Sequence, residues 1–477
     1  MQKHWYNYFC IIISLIFVVT SEKMTRLTSK RFAKLNLPEV MRSNQIGTWA
    51  FDTMSRRINN EILERIIDDN ADELTYPTSP YRSECLLSLN DLRSSLQCGK
   101  SGYLRPIIGD NNVPDLKEWQ NILFTVPENE RNWLDCPWII SEFYFYRRII
   151  EAFSFFPTGY DMFIKQKVAG LLDSIPVIKE LAKRVPALIS EGTNKDNLAN
   201  CIEVAIHTSL WGNKMDLSLW PSANNLQDLQ MDKSSSTSEK SISSANENIS
   251  GKITFGEGAT LSKRYILDDK TAGAIDILLN NPKRDVSIIV DNAGYELISD
   301  FLLGHCLLEW GICDTITFHT KAHPTFVSDA TTNDCTEHIS YLKEHDDKDV
   351  AALGNCLSTH IQEGRFIFSS DLFWCQPTSF WDMPENVEKK FSDSKLVFVK
   401  GDANYRRLLG ERQWPLHTNA ADVLSYWPVP VCACRTFKSE IGVGINESDQ
   451  KRAQDEDKNY LVSGKWGVIQ IGYNKLV

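Results

Sequence analysis

Oxygen-bearing side chains follow short apolar runs at two places in the second half of the chain. The β-branched run at residues 286–290 ends in Asp291 and Asn292, and residues 325–328 end in Asp329. Near-continuous apolar residues are typical of buried parallel strands, and open α/β sheets bind ligands beyond the carboxyl ends of their strands. Two carboxylates and an amide carbonyl are hard oxygen ligands, which suit Mg²⁺ or Mn²⁺ better than structural zinc.

A simpler interpretation of Asp291 and Asn292 is a turn. Both side chains bond readily to nearby backbone groups and tolerate left-handed conformations. On spacing alone the turn is favoured. The metal hypothesis therefore depends on what lies at the other strand ends.

Charged residues follow three further predicted strands, beginning at His319, Lys400 and Arg435. In a parallel sheet these ends share one edge, which would surround the oxygen ligands with cations from Lys321, Lys400, Arg406, Arg435 and Lys438. Cations around a metal suit an anionic substrate, most simply a phosphate ester, because arginine grips phosphate with a planar fork and lysine supplies a point charge. A metal would neutralise charge that develops on the phosphoryl oxygens.

The elements that would position these residues indicate an α/β fold. From residue 264 strands alternate with helices, which predicts a Rossmann-like, doubly wound, mostly parallel sheet. The preceding part reads as an N-terminal helical lobe with helices at residues 49–69, 117–125, 132–154, 160–189 and 199–218, broken at Pro176 and Pro186. We divide the chain into a leader and extension (1–44), a helical lobe (45–220), a low-complexity insertion (221–250) and an α/β metal-binding catalytic domain (251–477).

Two details of these elements bear on the site. Residues 132–154 are dense in aromatic side chains and predict a buried helix, from which Glu142 and Arg147 could face a cleft. Residues 438–459 are charge-rich, and we expect them to form a solvated loop.

Composition excludes some functions. The chain has 477 residues and a net charge of −11, and it lacks the basic excess of a general nucleic-acid-binding protein. Its 12 cysteines show no paired framework. We expect them to be mostly reduced core residues, which favours the cytoplasm.

The first residues leave a second location open. The apolar run at residues 9–19 has the size of a signal-peptide core but is too short to span a bilayer comfortably. Either residues 1–23 direct secretory entry, or translation begins at Met24. In both cases we expect no stable membrane association of the mature protein. The oligomeric state is left open.

Four segments carry a resemblance to a known family. Residues 290–296, 326–331, 400–406 and 435–438 resemble the damage-control metal phosphatase family in order and spacing. The Arg-Thr-x-Lys segment at 435–438 is similar to its third subfamily, which includes sugar-phosphate phosphatases and a member described as a protein-glutamate methyltransferase. The match covers roughly residue 45 to the carboxyl terminus.

The resemblance implies a divalent metal (Mn²⁺, Co²⁺, Ni²⁺ or Mg²⁺) held by Asp291, Asn292 and Asp329. Asp291, Asp329 and Lys400 are the candidate catalytic residues. The candidate substrate-binding residues are Asp291, Asn292, Asp402, Ala403, Asn404, Tyr405, Arg406, Arg435 and Lys438.

The expected activity is hydrolysis of small sugar phosphates, such as fructose 1-phosphate or fructose 6-phosphate. The nucleophile is either water or a carboxylate. The alternative is a protein-glutamate O-methyltransferase using S-adenosylmethionine, which Glu296 and Asp329 would contact. The glycine-rich loop of the usual methyltransferases is absent from the sequence. A non-catalytic binding module is the third hypothesis.

Overall fold

The structure is a computed structural model that describes residues 36–109, 113–212 and 263–473. The predicted leader at 1–23 and the predicted insertion at 221–250 lie outside these ranges. A seven-stranded sheet in the order β1-β7-β6-β5-β2-β3-β4 forms the centre of the described part. The strands are β1 (Ile266–Asp269), β2 (Asp285–Ile289), β3 (Thr315–Lys321), β4 (Phe366–Asp371), β5 (Ser394–Lys400), β6 (Val431–Thr436) and β7 (Gly467–Gly472).

The sheet is mostly parallel, as the sequence predicts. Strands β6, β5, β2, β3 and β4 all run in the same direction. Strand β7 is antiparallel to β6, and β1 is parallel to β7. From β2 the chain adds strands towards β4 on one side, and then β5 and β6 on the other. The strand order therefore reverses between β2 and β5, the kind of position at which such sheets bind ligands.

Helices cover both faces of the sheet and form most of the amino-terminal part. A π-helix at Thr53–Leu63 connects the first two α-helices, so the predicted helix at 49–69 is continuous. The amino-terminal α-helices are α1 (Trp49–Asp52), α2 (Glu64–Asp69), α3 (Ala71–Thr75), α4 (Cys85–Gln97), α5 (Leu116–Phe124), α6 (Trp138–Ala152), α7 (Phe155–Thr158), α8 (Ile164–Asp173), α9 (Ile175–Gly192) and α10 (Lys195–Trp211). Those of the sheet region are α11 (Thr271–Asn280), α12 (Tyr295–Glu309), α13 (Thr332–Lys343), α14 (Lys348–Gln362), α15 (Glu385–Glu388), α16 (Asp402–Leu408), α17 (Ala420–Val423) and α18 (Glu447–Glu456).

Two sequence-based expectations about these elements are wrong. Pro186 does not break its helix, because α9 continues through it. Residues 438–459 are not a solvated loop, since they contain α18 and the buried residues Ile441, Val443 and Ile445. Pro176 does mark the start of α9, where its missing N–H costs nothing.

The amino-terminal helices pack directly onto the carboxyl edge of the sheet. Phe143 and Tyr146 of α6 contact Phe326, with ring centroids 4.6 and 4.5 Å apart. One apolar cluster contains residues from both parts of the chain. The division at 45–220 and 251–477 stays a prediction, but the functional cleft described below needs both parts.

The cysteines of the described ranges form no disulfide, and all except Cys98 and Cys356 are buried. Within those ranges, no helix combines the length and apolar character needed to cross a membrane.

Buried histidines predict that acid destabilises the fold. Burial lowers the pKa of His338 to about 4 and that of His319 to about 3. The neutral ring of His338 also accepts the backbone N–H of Gly294 at 2.7 Å. Four further histidines have lowered pKa values, also through burial: His207, His305, His323 and His360.

We therefore expect the free energy of unfolding to fall as the pH drops from about 6.5 towards 4. In that window the unfolded chain binds protons that the native chain does not, and each unit of pKa difference corresponds to about 1.4 kcal/mol. Urea denaturation at a series of pH values measures this. The variant His319→Gln, which cannot titrate there, should show a shallower fall, and equal slopes would contradict the assignment.

Candidate active site

A cleft lies where the strand order reverses, between the sheet edge and the amino-terminal helices. The cleft is partly open to solvent. The sheet side supplies Asp291, Asn292, Phe326, Asp329, Asp402, Ala403, Arg406 and Lys438, and the helical side supplies Trp49, Arg57, Ile62, Trp138, Glu142 and Tyr146.

Backbone hydrogen bonds hold the two proposed metal-ligand segments together. The N–H of Ala293 donates to the carbonyl of Ser328, and the N–H of Ala330 donates to the carbonyl of Asp291, both at 2.7 Å. Asn292 and Asp329 pair as an isolated antiparallel bridge. The structure thus brings together the three residues that the sequence proposes as metal ligands, and all three are buried.

The loop before Asp329 has a strained backbone. Phe326 and Val327 have φ values of 47° and 69°, in the left-handed region that a β-branched residue such as valine rarely adopts. Such strain persists only where surrounding contacts impose it. Here the packing of Phe326 against α6 and the bonds to the Asp291 segment hold the loop, so the position of Asp329 depends on both walls of the cleft.

The chemistry of the donor set fits a divalent cation. Asn292 donates from its amide to Asp291 Oδ2 at 3.1 Å and to Glu296 Oε2 at 2.8 Å, which turns its carbonyl oxygen towards Ser328. That oxygen accepts from Ser328 Oγ at 2.6 Å and has a second lone pair. Two carboxylates and one amide oxygen are ligands that Mg²⁺ and Mn²⁺ prefer.

Lysine 321 adds positive charge directly behind this set. Its ammonium lies 3.2 Å from Asp329 Oδ2 and donates to Asn404 Oδ1 at 3.1 Å. Asn404 in turn donates to the carbonyls of Val290 and Lys400. Asn404 therefore links the ends of β2 and β5 and does not itself line the cleft.

Asp402, Ala403 and Lys438 line the cleft next to the oxygen set, and Arg435 fixes their geometry. Asp402 Oδ1 accepts from Arg435 Nε at 2.8 Å and from the backbone N–H of Lys438 at 3.2 Å. The guanidinium of Arg435 is fully buried between the rings of Tyr405 and Phe437. Arg435 and Tyr405, both proposed as substrate-binding residues, thus lie behind the cleft wall.

Arginine 406 reaches the cleft within a compact ionic group. It donates to Glu142 Oε2 and to Glu411 Oε1, both at 2.6 Å, and its guanidinium lies 3.8 Å from the ring centre of Trp138. Glu142 therefore lines the cleft, whereas Arg147 pairs with the buried Asp115 at 2.7 Å.

The sequence alone did not assign Trp49, Arg57, Trp138 or Tyr146 to the site. Their helices read as ordinary apolar or amphipathic patterns, and aromatic side chains on such helices usually belong to a core. The sequence has no signal that marks them, since at α-helical spacing Arg57 lies off the face formed by Ile58, Ile62 and Ile66.

Glycine 401 lets β5 approach Asp291. It has a φ of 83°, and a Cβ atom at this position would overlap the Asp291 carboxylate. Only glycine combines that backbone conformation with such a close approach.

We expect Gly401→Ala to displace Asp291 and to lower metal affinity at least roughly 10-fold, since even changes behind metal ligands cost about that much. Calorimetric titration with Mn²⁺ measures the effect. Gly364→Ala is the matched control, because Gly364 has a φ of 70° but nothing within 4 Å of an added Cβ. Equal metal affinity in the two variants would show that Gly401 does not position the site.

Two residues of the candidate set, Lys400 and Glu296, lie behind the cleft. The fully buried ammonium of Lys400 donates to Asp300 Oδ1 at 2.7 Å and to the carbonyl of Ser209 at 2.6 Å, and it lies 3.5 Å from Glu296 Oε1. Burial opposes its charged form, but attraction to Asp300 and Glu296 outweighs burial and raises the pKa of Lys400. Lys400 reaches the oxygen ligands only through Glu296, which accepts from Asn292.

We therefore expect Lys400→Met to act mainly on stability. Removing one partner of a buried ion pair leaves Asp300 uncompensated and lowers the free energy of unfolding by about 3–5 kcal/mol. Urea denaturation measures this.

The control for that variant is Lys395→Met on the same strand. Lys395 bonds only to the carbonyls of Leu278 and Ile312, so its removal leaves no buried carboxylate and costs less. If both variants were equally stable while only Lys400→Met lost activity, Lys400 would have a direct chemical role.

Two other groups of possible metal ligands occur in the described ranges, and neither shares a residue with the cleft. They are His305, Glu309 and His360, and Glu203, His207 and Asp269. His305 Nδ1 and His360 Nε2 are 2.7 Å apart, a hydrogen-bond distance. Two nitrogens on one tetrahedral zinc would be about 3.3 Å apart, given Zn–N distances of about 2.0–2.1 Å. In this geometry the two rings form a hydrogen-bonded pair.

The fold is that of an α/β protein with a cleft at the switch point of a doubly wound sheet. A family model described as a damage-control phosphatase ARMT1-like domain matches residues 53–453. The chain therefore belongs to the damage-control phosphatase ARMT1-like family.

Proteins with the name of this family are similar to the chain over most of its length. The chain is 29% identical to "Damage-control phosphatase ARMT1" of Xenopus tropicalis over 463 residues, covering 92% of this chain and 96% of that one. It is 29% identical to the Bos taurus protein of the same name, with the same coverage, and 26% identical to the Homo sapiens protein, covering 91% and 98%. A solved DUF89 family protein from Pyrococcus horikoshii is 14% identical, covers 75% of this chain and 92% of its own, and has a TM-score of 0.36.

Proposed function

We propose that this protein is a metal-dependent phosphomonoesterase that hydrolyses small sugar phosphates. The observation that carries the proposal is the convergence of Asp291, Asn292 and Asp329 at one end of a cleft that also contains Lys438 and Arg406. Membership in a damage-control phosphatase family supports the reaction type. Fructose 1-phosphate and fructose 6-phosphate are the substrates we propose to test first.

The oxygen ligands would hold Mn²⁺, Co²⁺, Ni²⁺ or Mg²⁺, because all of these accept carboxylate and amide oxygens. The bound cation would supply Lewis-acid polarisation of the phosphate ester. Lys321 keeps the Asp329 carboxylate oriented by its contact at 3.2 Å. Asp291 or a water beside it is the candidate nucleophile, and the two routes differ in whether a covalent phosphoenzyme forms.

The cations of the cleft would stabilise charge on the phosphoryl oxygens, which is the main catalytic task in phosphoryl transfer. Lys438 is suited to this because its backbone is anchored on Asp402, beside the oxygen set. Lys400 would act as a positioning residue through Glu296, whose carboxylate holds the amide of Asn292.

The sugar part would lie against the helical wall. Glu142 and Arg406 line the cleft there as a paired acceptor and donor, with the Arg406 guanidinium stacked over the Trp138 ring. The hydroxyl groups of a polyol can both donate and accept, so they match such a pair.

The methyltransferase alternative receives no support from the position of Glu296. Its side chain is buried, contacts Asn292 and Lys400, and is not part of the cleft wall. Direct contact with S-adenosylmethionine would require it to leave those partners.

The test is phosphate release from a panel of sugar phosphates with Mn²⁺, Co²⁺, Ni²⁺ or Mg²⁺. We expect turnover by the wild type, its loss on chelation, and recovery when metal is restored. Asp291→Ala should lower the rate at least roughly 100-fold, because it removes a proposed ligand and not merely a group behind one.

Asp371→Ala is the control for this experiment. Asp371 also ends a parallel strand on the same sheet edge, but it caps a turn at Phe373 and pairs with Lys390 outside the cleft. Equal rates for Asp291→Ala and Asp371→Ala would refute the site, and absence of phosphate release from the whole panel by the wild type would refute the activity.

A further inference from the structure

Arginine 57 places a buried positive charge on the helical wall, opposite the strand ends. It lines the cleft together with Asp291, Asp329 and Lys438, and the residue is only 6% exposed. Charged side chains are almost never fully buried unless they are paired, so the partners of Arg57 decide what it can do there.

The position of Arg57 is fixed by several contacts. Its guanidinium lies 4.4 Å from the ring centre of Trp49, Nε is 3.3 Å from Glu61 Oε2, and Nη1 donates to Thr53 Oγ1 at 3.3 Å. It belongs to the π-helix Thr53–Leu63. This helix type is rare in proteins overall, but those that occur are often found at functional sites.

The wall that carries Arg57 is tied to the loop that carries Lys438. Glu440, two residues after Lys438, accepts the backbone N–H of Trp49 at 2.9 Å. Trp49 begins α1, which leads directly into the π-helix. The segments that carry the two cleft cations Arg57 and Lys438 are therefore joined by this hydrogen bond.

The charges of the cleft show what Arg57 is suited to bind. Among the described residues that line it, Arg57, Arg406 and Lys438 are positively charged. Arg406 is engaged by two carboxylates, Glu142 and Glu411. Arg57 and Arg56 share Glu61, and Arg56 also pairs with Asp52, so this ionic group has two cations and two carboxylates, whereas the group of Arg406 has one cation and two carboxylates.

We infer that Arg57 is a substrate-binding residue that binds the phosphoryl group from the helical wall, whereas Lys438 binds it from the sheet side. This inference rests on the proposed function for the identity of the ligand. Its chemical basis is the planar fork of arginine, which matches phosphate oxygens with two parallel hydrogen bonds. The phosphate is then enclosed between the helical region and the sheet edge.

The experiment is calorimetric titration of the full chain with inorganic phosphate in the presence of Mn²⁺. Arg57→Gln should weaken phosphate binding roughly 10- to 100-fold, the range expected for a lost charge-assisted hydrogen bond. Arg56→Gln is the matched control. Arg56 has the same charge, lies one position away and shares Glu61, but its side chain is 49% exposed and pairs with Asp52 outside the cleft.

We expect phosphate affinity within about 2-fold of wild type for Arg56→Gln, a small difference for a change at the surface. Equal affinity in the Arg57 and Arg56 variants would overturn the inference, as would a wild type that binds no inorganic phosphate. If Arg57→Gln fails to fold by circular dichroism, Arg57→Lys decides the question. The Arg57→Lys variant keeps the positive charge but lacks the planar guanidinium. It should bind phosphate several-fold more weakly than the wild type, and equal affinity would overturn the inference.

Failure of the proposed function would look different. Titration with phosphate requires no turnover, so a wild type that binds phosphate through Arg57 but releases none from any sugar phosphate would refute the hydrolysis alone. A wild type that turns over substrate, with unchanged phosphate binding in Arg57→Gln, would refute the role of Arg57 alone.

Discussion

The pairing of two backbone segments is the constraint on which the site depends. The segment after β2 and the segment before α13 are joined by the Ala293–Ser328 and Ala330–Asp291 hydrogen bonds and by the Asn292–Asp329 bridge. Without this pairing, two buried carboxylates would repel each other and separate. With it, the carboxylates stay close together in the folded protein, where Lys321 offsets part of their repulsion and the proposed cation would offset more.

Contacts from both the sheet region and the amino-terminal helices hold these two segments in place. On the sheet side, the absence of a side chain at Gly401 allows β5 to approach Asp291. On the helical side, α6 packs on Phe326 and so supports the strained backbone before Asp329. The same helix contributes Trp138 and Glu142 to the cleft, so part of the cleft wall and the support of this loop depend on one element. A shift of α6 relative to the sheet would therefore change both the cleft wall and the position of the loop before Asp329.

Much of the fold could be predicted from the sequence because its signals are local. The β-branched run before Asp291 and the alternation of strands and helices after residue 264 are sufficient to predict a mostly parallel sheet. That the polar ends of β2, β3, β5 and β6 share one edge follows from parallel direction alone. The reversed direction of β7 has no local signal, since a buried apolar strand reads the same in either orientation.

The roles of individual side chains were harder to predict because they depend on which face a residue occupies. Lys400 follows Leu396 and Phe398 at a period of two on β5, so it faces the apolar cluster beneath α12 and meets Asp300 there. A strand buried on both faces gives no sequence signal of which face is which. Arg435 likewise reads as a phosphate-binding cation, yet it is enclosed between Tyr405 and Phe437. Arg57 was not found because its contact with the site exists only in the tertiary structure.

The central claim is that Asp291, Asn292 and Asp329 form one metal site, and electron paramagnetic resonance of bound Mn²⁺ tests it most directly. The claim predicts one tightly bound Mn²⁺ per wild-type chain, lost in Asp329→Ala and retained in a variant that replaces both His305 and His360 by alanine. Retention of Mn²⁺ by Asp329→Ala, or its loss from the double histidine variant, would contradict the claim and place the metal elsewhere in the protein.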